Sequence, residues 1–286
     1  MRTLVLKLGG ELLESATDRS RIAAFAAGVV RERPLVLVHG GGRAVDAELA
    51  RRAITPRKVD GLRITDAETL DAVVAVLAGS ANTDLVAALV ASGVSGVGLT
   101  GVDAGLGRAV RTNAYTSTSG AIVDLGRVGD PVDAQPDLIE LLVTHRYVPV
   151  VASLGIDAEG GAVLNVNADV MACRIASALG RCDLVIAGGT PGVLDGRGDS
   201  IDRLDPDGID RLIAGGTATA GMVAKLASCQ AALAAGVASI RLVDGRTLDG
   251  THGIEMAPGT TLVPGRQVAA GPREPAEQRW RQHRRT

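Results

Sequence analysis

An α/β fold with a mostly parallel sheet, covered by helices on both faces, is what this 286-residue sequence predicts. Two features carry that prediction. Continuous apolar runs of strand length alternate with stretches of helical character, the pattern of strands buried on both sides. The runs also end in glycine clusters, where a strand's carboxyl end meets the next helix. Apolar residues make up 46% and aromatics number only four (Phe25, Tyr115, Tyr147 and Trp280), so the core must be built from Val, Leu, Ile and Ala. A chain of this length suits one large α/β unit or two lobes.

Residues 3–8 form the first strand, 19–31 a helix, and 35–38 a second buried strand that ends in His39-Gly40-Gly41-Gly42, with a helix from Arg43. Residues 66–78 and 82–91 are two helices, the first N-capped by Thr65, and 94–99 is a strand. The Gly-, Thr- and Ser-rich stretch 101–129 holds two short alternating runs, 108–111 and 121–125, which predict hairpins. A helix over 136–144 and a strand over 147–152 follow. After Gly155 the texture changes to a turn at 157–161, and Asn165-Val166-Asn167-Ala168-Asp169 opens a helix to Leu179. Strand 184–187, a Gly- and Asp-rich loop over 188–205, a short helix to Ala214, a long helix over 220–235 and strand 239–243 complete the order. This divides the chain into an N-terminal lobe of residues 1–155, a C-terminal lobe of 156–265 and an Arg-rich tail of 266–286 that reads as disordered.

Composition narrows the function. A net charge of −2 without a basic stripe ahead of the tail, together with so few aromatics, argues against nucleic-acid binding. Cys173, Cys182 and Cys229 are odd in number and form no C-x-x-C pair, which predicts buried, inert thiols rather than a disulfide framework or a zinc site. The apolar start is too short for a signal peptide, and no other stretch reads as a membrane span, so the expected location is the cytoplasm, with no membrane partner.

Three glycine clusters, Gly9-Gly10, Gly40-Gly41-Gly42 and Gly188-Gly189, fall on one inferred sheet edge, where backbone N–H groups can approach an anion. The lysines say more. Of 30 basic residues only Lys7, Lys58 and Lys225 are Lys, and Lys7 ends a buried strand while Lys225 follows Gly221 by one helical turn. An ammonium is a compact point charge that can follow a phosphoryl oxygen during transfer. Phosphoryl transfer depends mainly on positioning and charge neutralisation, which two such lysines would supply. No lysine precedes Ser or Thr, so there is no P-loop. The G-x-G-x-x-G at Gly96–Gly101 runs into more glycine instead of a helix and reads as a chance match to a dinucleotide site. Lys58 reads as a solvated loop charge. His39 is a general base or, preferably, a packed strand-end residue; Arg63 is a carboxylate clamp or a surface ion pair; Asp169 orients the lysines or simply charges a helix start.

These residues resemble the amino acid kinases. The resemblance runs from Lys7 to about Pro264 through Lys7-Leu8-Gly9-Gly10, Val38-His39-Gly40-Gly41-Gly42, Gly61-Leu62-Arg63-Ile64-Thr65, Asn165-Val166-Asn167-Ala168-Asp169, Pro191-Gly192-Val193-Leu194-Asp195 and Gly221-Met222-Val223-Ala224-Lys225. It implies a three-layer αβα sandwich with an open, mainly parallel central sheet. It further implies phosphorylation of a carboxylate of an acylated amino acid, most similarly N-acetylglutamate, by ATP with Mg2+, in arginine biosynthesis. Lys7 and Lys225 would stabilise the transition state and Asp169 would organise them; Gly41, Gly42, Arg63, Asn165 and Asn167 would hold the acyl amino acid on the N-terminal lobe. Gly9 and Gly10 would cradle phosphate, with Gly189, Thr190, Pro191, Gly192, Val193, Leu194, Thr217, Ala218, Thr219 and Gly221 lining the nucleotide on the C-terminal lobe. A homodimer and no resident metal are implied. Gly189, where an acidic residue is usual, and Ala220, where Gly or Asp is usual, depart from the pattern. A sister kinase for aminoadipate or glutamate on an acidic amino-group carrier protein, and a ligand sensor without catalysis on the same fold, are the alternatives.

Overall fold

The computed structural model describes residues 1–215, 220–249, 254 and 257–264. In chain order the elements are β1 (Leu4–Leu8), α1 (Ala16–Val29), β2 (Leu35–His39), α2 (Gly42–Arg51), β3 (Lys58–Val59), β4 (Leu62–Arg63), α3 (Ala67–Val74), a π-helical segment (Ala75–Ala81) and α4 (Asn82–Ala91). They continue with β5 (Gly96–Thr100), β6 (Arg108–Arg111), β7 (Tyr115–Thr116), β8 (Ile122–Val123), β9 (Val128–Asp133), α5 (Asp137–Thr144), β10 (Val148–Ala152), β11 (Leu154–Asp157) and β12 (Val163–Val166). The rest are α6 (Ala168–Leu179), β13 (Asp183–Gly188), β14 (Arg203–Leu204), α7 (Pro206–Ala214), α8 (Ala220–Ala234), β15 (Ser239–Asp244) and β16 (Gly259–Leu262).

One sheet of eight strands, ordered β14-β16-β15-β13-β1-β2-β10-β5, runs through the molecule. Six strands are parallel; β16 turns antiparallel against β15 and carries β14 with it. Alternation along the buried strands divides the core. Leu4, Leu6, Leu8, Leu35 and Leu37 pack with Ile22 and Phe25 of α1 on one face, while Val5, Val36 and Val38 pack with Met171 and Ile175 of α6 on the other. Lys7 shares the face of Val5, so the strand's period of two aims its ammonium at α6. The stretch after β5 departs from simple hairpins: β6, β9, β11 and β12 close into a small barrel, leaving β7–β8 as a hairpin outside it.

One sequence expectation changes here and another gains detail. Asp66, not Thr65, caps α3, its carboxylate accepting from Thr69 N at 2.9 Å, because Thr65 is buried and donates its hydroxyl to Arg63 O. The two helices expected over 66–91 are present as α3 and α4, which the π-helical segment joins into one kinked rod, Ala67–Ala91, with non-helical φ −94° and ψ −106° at Gly79. It is long and apolar enough to pass a length-and-composition test for a membrane span, yet forms a layer of this fold, with Asn82 buried at its middle. Its π-turn places the Asn82 amide so that it donates to Val150 O at 2.9 Å and to His39 Nε2 at 3.0 Å, tying the helix to β10 and β2. The glycines of β5 are explained by the same rod: a methyl on Gly98 would collide with Asn82 Oδ1, and one on Gly96 would press Leu89 Cδ1 at 3.2 Å. Those glycines serve packing, and a tight 3-10 turn rather than a helix follows them.

Replacing Asn82 with Ala would leave His39 Nε2 without its partner in the core and remove the amide's bond to Val150 O, and is expected to cost about 3 kcal/mol. A urea denaturation midpoint unchanged from wild type would show that the amide does not hold the rod in place.

Candidate active site

At the carboxyl ends of β1 and β2 two glycine turns pack backbone against backbone. A methyl on Gly10 would lie 2.7 Å from Gly42 N, so only glycine permits the contact. Gly41 sits under Leu77, 2.7 Å from where its own methyl would be, and opens α2 without a side-chain cap. The first-turn N–H groups of α2 therefore face the cleft unpaired, the ordinary physics of an anion site. The cleft holds about 310 Å³ and is lined by Lys7, both glycine turns, Glu11, Lys58, Arg63, Ser153, Asn165 and Asp169, among others.

Asp169, near the start of α6, is the electrostatic centre. Asn167 caps the helix, its Oδ1 accepting from Asp169 N at 2.8 Å, and so fixes where the Asp169 side chain begins. Lys7 Nζ lies 2.8 Å from Asp169 Oδ1, and Lys225 Nζ, from the middle of α8, lies 3.4 Å from Oδ2. Burial pushes the Asp169 carboxyl up, but Lys7 and Lys225 outweigh it and hold the group below the usual carboxylate range. Residues 218 positions apart in sequence thus share one carboxylate.

A second charged group stands at the mouth. Asp60 and Gly61 both adopt positive φ, 51° and 83°, forming the primed turn that suits a two-residue hairpin. The β3–β4 hairpin pairs Lys58 with Arg63, and both reach Asp46 of α2, Lys58 Nζ at 2.8 Å and Arg63 Nη2 at 2.5 Å. Burial raises the Asp46 carboxyl, yet the two cations hold it below its ordinary value. Lys58 remains exposed, as a solvated charge would be, but strand pairing across from Arg63 also places it at the rim of the cleft. Arg63 Nη1 is buried without a hydrogen-bond partner, a donor left for something else. Asn165 donates its amide to Thr65 Oγ1 at 3.1 Å.

The remaining expected residues are placed as follows. His39 is fully buried, held down to about 4 by burial, with Nδ1 facing Gly40 O and Nε2 facing Asn82, so it shapes the turn and offers no base. Gly189, Thr190, Pro191, Gly192, Val193, Leu194 and Gly221 lie outside the lining of this cleft, in the loop after β13 and at the start of α8. Gly192 has φ 98° and leaves no room for a methyl beside Thr260 N, while Val193 N donates to Thr260 Oγ1 at 2.8 Å, pinning that loop to β16. Thr217, Ala218, Thr219 and the tail lie outside the described residues. Cys173 and Cys229 stand one turn beyond Asp169 and Lys225, their sulfurs 4.0 Å apart; that contact and burial push the Cys229 thiol well above its ordinary value. Cys182 is pushed up to about 12 by burial. Sequence reasoning reads Lys58 as a loop charge and passes over Asp46 and Glu11; for Lys58 and Asp46 the Asp-Gly turn is the available signal.

A parallel sheet whose strand ends carry glycine turns, a capless helix start and two lysines on one aspartate defines a small-molecule phosphotransferase site, and the chain belongs to the amino acid kinase family, whose model matches residues 2–244. Its curated relatives sharpen this. It is 39% identical to the acetylglutamate kinase of Halorhodospira halophila over 86% of this chain and 83% of that one, and 40% identical to the acetylglutamate kinase of Roseiflexus sp. over 93% and 95%. The N-acetylglutamate synthase of Neisseria gonorrhoeae, complexed with coenzyme A and N-acetyl-glutamate, shares the fold with a TM-score of 0.76 at 23% identity, over 94% of this chain and 62% of that one.

Asp169→Asn is expected to leave the buried Lys7 and the partly buried Lys225 ammonium groups uncompensated and to cost about 3 kcal/mol at neutral pH. A carboxyl depressed in the folded state contributes stability above its unfolded value and loses it as pH falls through the folded one. The gap between wild type and variant should therefore narrow below about pH 4. Urea melts at pH 7 and in acid test this; a gap that widens in acid would contradict it.

Proposed function

We propose that the protein transfers the γ-phosphoryl group of ATP to the side-chain carboxylate of N-acetylglutamate, giving the acyl phosphate used in arginine biosynthesis. The observation that carries this reading is the Lys7–Asp169–Lys225 arrangement at the head of a glycine-walled cleft. Similarity to acetylglutamate kinases over most of the chain supports the choice of acceptor.

In this mechanism the acceptor lies on residues 1–155, its own carboxylate clamped by Arg63 through the unpartnered Nη1, with Asn165 and Asn167 beside the acyl group. Asn167 contributes mainly by capping α6, since its Oδ1 already serves Asp169 N. ATP, bound as its Mg2+ complex, lies toward residues 156–265, along the loop of Gly189 to Leu194 and the start of α8. The acceptor carboxylate is ionised at neutral pH and needs no base. One of its oxygens forms a bond to the γ-phosphorus while the bond from phosphorus to the bridging oxygen breaks, and ADP leaves with that electron pair. Lys7 and Lys225 neutralise the transferring oxygens, and the N–H groups of Gly41 and Gly42 at the start of α2 donate to them. Asp169 holds both lysines in place.

The enzyme is further proposed to act in the cytoplasm as a homodimer. Support for the dimer comes from β5, an edge strand of the main sheet, and from the adjoining rod Ala67–Ala91, of whose most apolar window only 33% is buried, with Val90 58% exposed. Sedimentation at micromolar concentration checks this, a species of about 29 kDa counting against it.

Hydroxylamine trapping of acyl phosphate with N-acetylglutamate, glutamate and N-acetylaminoadipate tests the reaction. Product is expected with N-acetylglutamate, and Lys225→Ala is expected to lower kcat about 10³-fold with little change in KM. Turnover confined to N-acetylaminoadipate would move the acceptor assignment, and none with any acid would defeat the reading.

A further inference from the structure

Two carboxylates line the cleft, and only one is accounted for. Asp169 is neutralised by its two lysines. Glu11, at the start of the 3-10 turn after β1, accepts no hydrogen bond and forms no ion pair among the described residues. Its head is nonetheless closely placed. A methyl on Gly9 would overlap the carboxylate, one on Gly188 would lie 3.6 Å from Oε1, and one on Gly189 would lie 3.7 Å from the same oxygen. The carboxylate therefore stands between two glycine turns, at the ends of the neighbouring parallel strands β1 and β13. Glu11 is exposed, and Arg246, whose charge reaches it, makes its close contacts with Asp244 instead, at 2.7 and 2.9 Å.

Glycine turns at strand ends suit a polyphosphate, and an unneutralised carboxylate among them would repel one. The conflict resolves when a divalent cation lies between the two anions. Mg2+ takes oxygen ligands, typically one or two carboxylates with the rest from phosphate and water. Among the described residues no group of three or more His, Cys, Asp or Glu side chains could hold a metal, so the nucleotide must bring most of the ligands itself. We propose that Glu11 is the protein's anchor for the divalent cation that arrives with the nucleotide, fixing the polyphosphate against the Gly9-Gly10 and Gly188-Gly189 turns. This rests on the kinase reading above and names one more residue for the same site.

The test compares binding of MgATP with binding of metal-free ATP in EDTA, by titration calorimetry on the full chain and on Glu11→Gln, with acyl hydroxamate formation followed in parallel. Wild type is expected to prefer MgATP, and the variant to lose roughly tenfold in affinity for MgATP while binding metal-free ATP as well as or better than wild type. A purely structural role would weaken both forms alike, and that result overturns the proposal, as does unchanged MgATP binding. The reciprocal variant adds a second handle. Position 189 has space for a side chain that reaches the same point, so Gly189→Asp in the Glu11→Gln background is expected to restore the MgATP preference; failure to restore it counts against a cation at this spot. If wild type forms no hydroxamate yet shows a MgATP preference that Glu11→Gln abolishes, the anchor stands and the acceptor reading falls. Turnover by wild type with MgATP binding indifferent to Glu11 removes the anchor and leaves the acceptor reading standing.

Discussion

The ion triad of Lys7, Asp169 and Lys225 is the constraint on which the site depends. Two ammonium groups held this close would repel each other, and the carboxylate shared between them offsets that repulsion. Each member comes from a different regular element, β1, α6 and α8, so the triad is correct only when strand and helices are packed in register. Stability and chemistry are coupled at this point: the same contacts that hold α6 against β1 also set the separation of the charges.

The rest of the site is built by backbone. Gly10 meets Gly42 because position 10 carries no side chain, and α2 begins at that contact with its N–H groups unclaimed by any side-chain cap. The kinked rod Ala67–Ala91 supports the arrangement, with Leu77 packed against Gly41 and Asn82 on His39. A buried neutral histidine with both ring nitrogens engaged is a strut for the turn, and its strongly lowered basicity follows from burial rather than from any catalytic task.

Much of this is legible in sequence for a physical reason. A lysine at the end of an apolar strand, in a chain that otherwise prefers arginine, is anomalous enough to mark Lys7, and the alternation of apolar runs with helices reveals the parallel strands. Other features depend on partners distant in sequence. The barrel of β6, β9, β11 and β12 joins short strands whose pairing no local pattern specifies, and the antiparallel edge rests on β14, a two-residue strand. Lys58 looks like a loop charge in sequence because its meaning comes from cross-strand pairing with Arg63. Asp66 and Thr65 are both good caps by composition, and burial of Thr65 decides between them. Glu11 resembles any acid in a first helical turn until the glycines of β13 are seen facing it.

Strand β1 has β2 on one side and β13 on the other, each in parallel register with it. Their carboxyl ends are consequently two interstrand spacings apart, roughly 10 Å. That interval is set by backbone hydrogen bonds and does not depend on any loop conformation. It exceeds the few ångströms that separate an arriving from a departing oxygen on one phosphorus, so each turn has room for a different reactant with the transferring group between them. The sheet thus acts as a ruler: adjustment to acceptors of different length falls to the hairpins and helix starts above the strand ends, while the reach between the two turns stays constant.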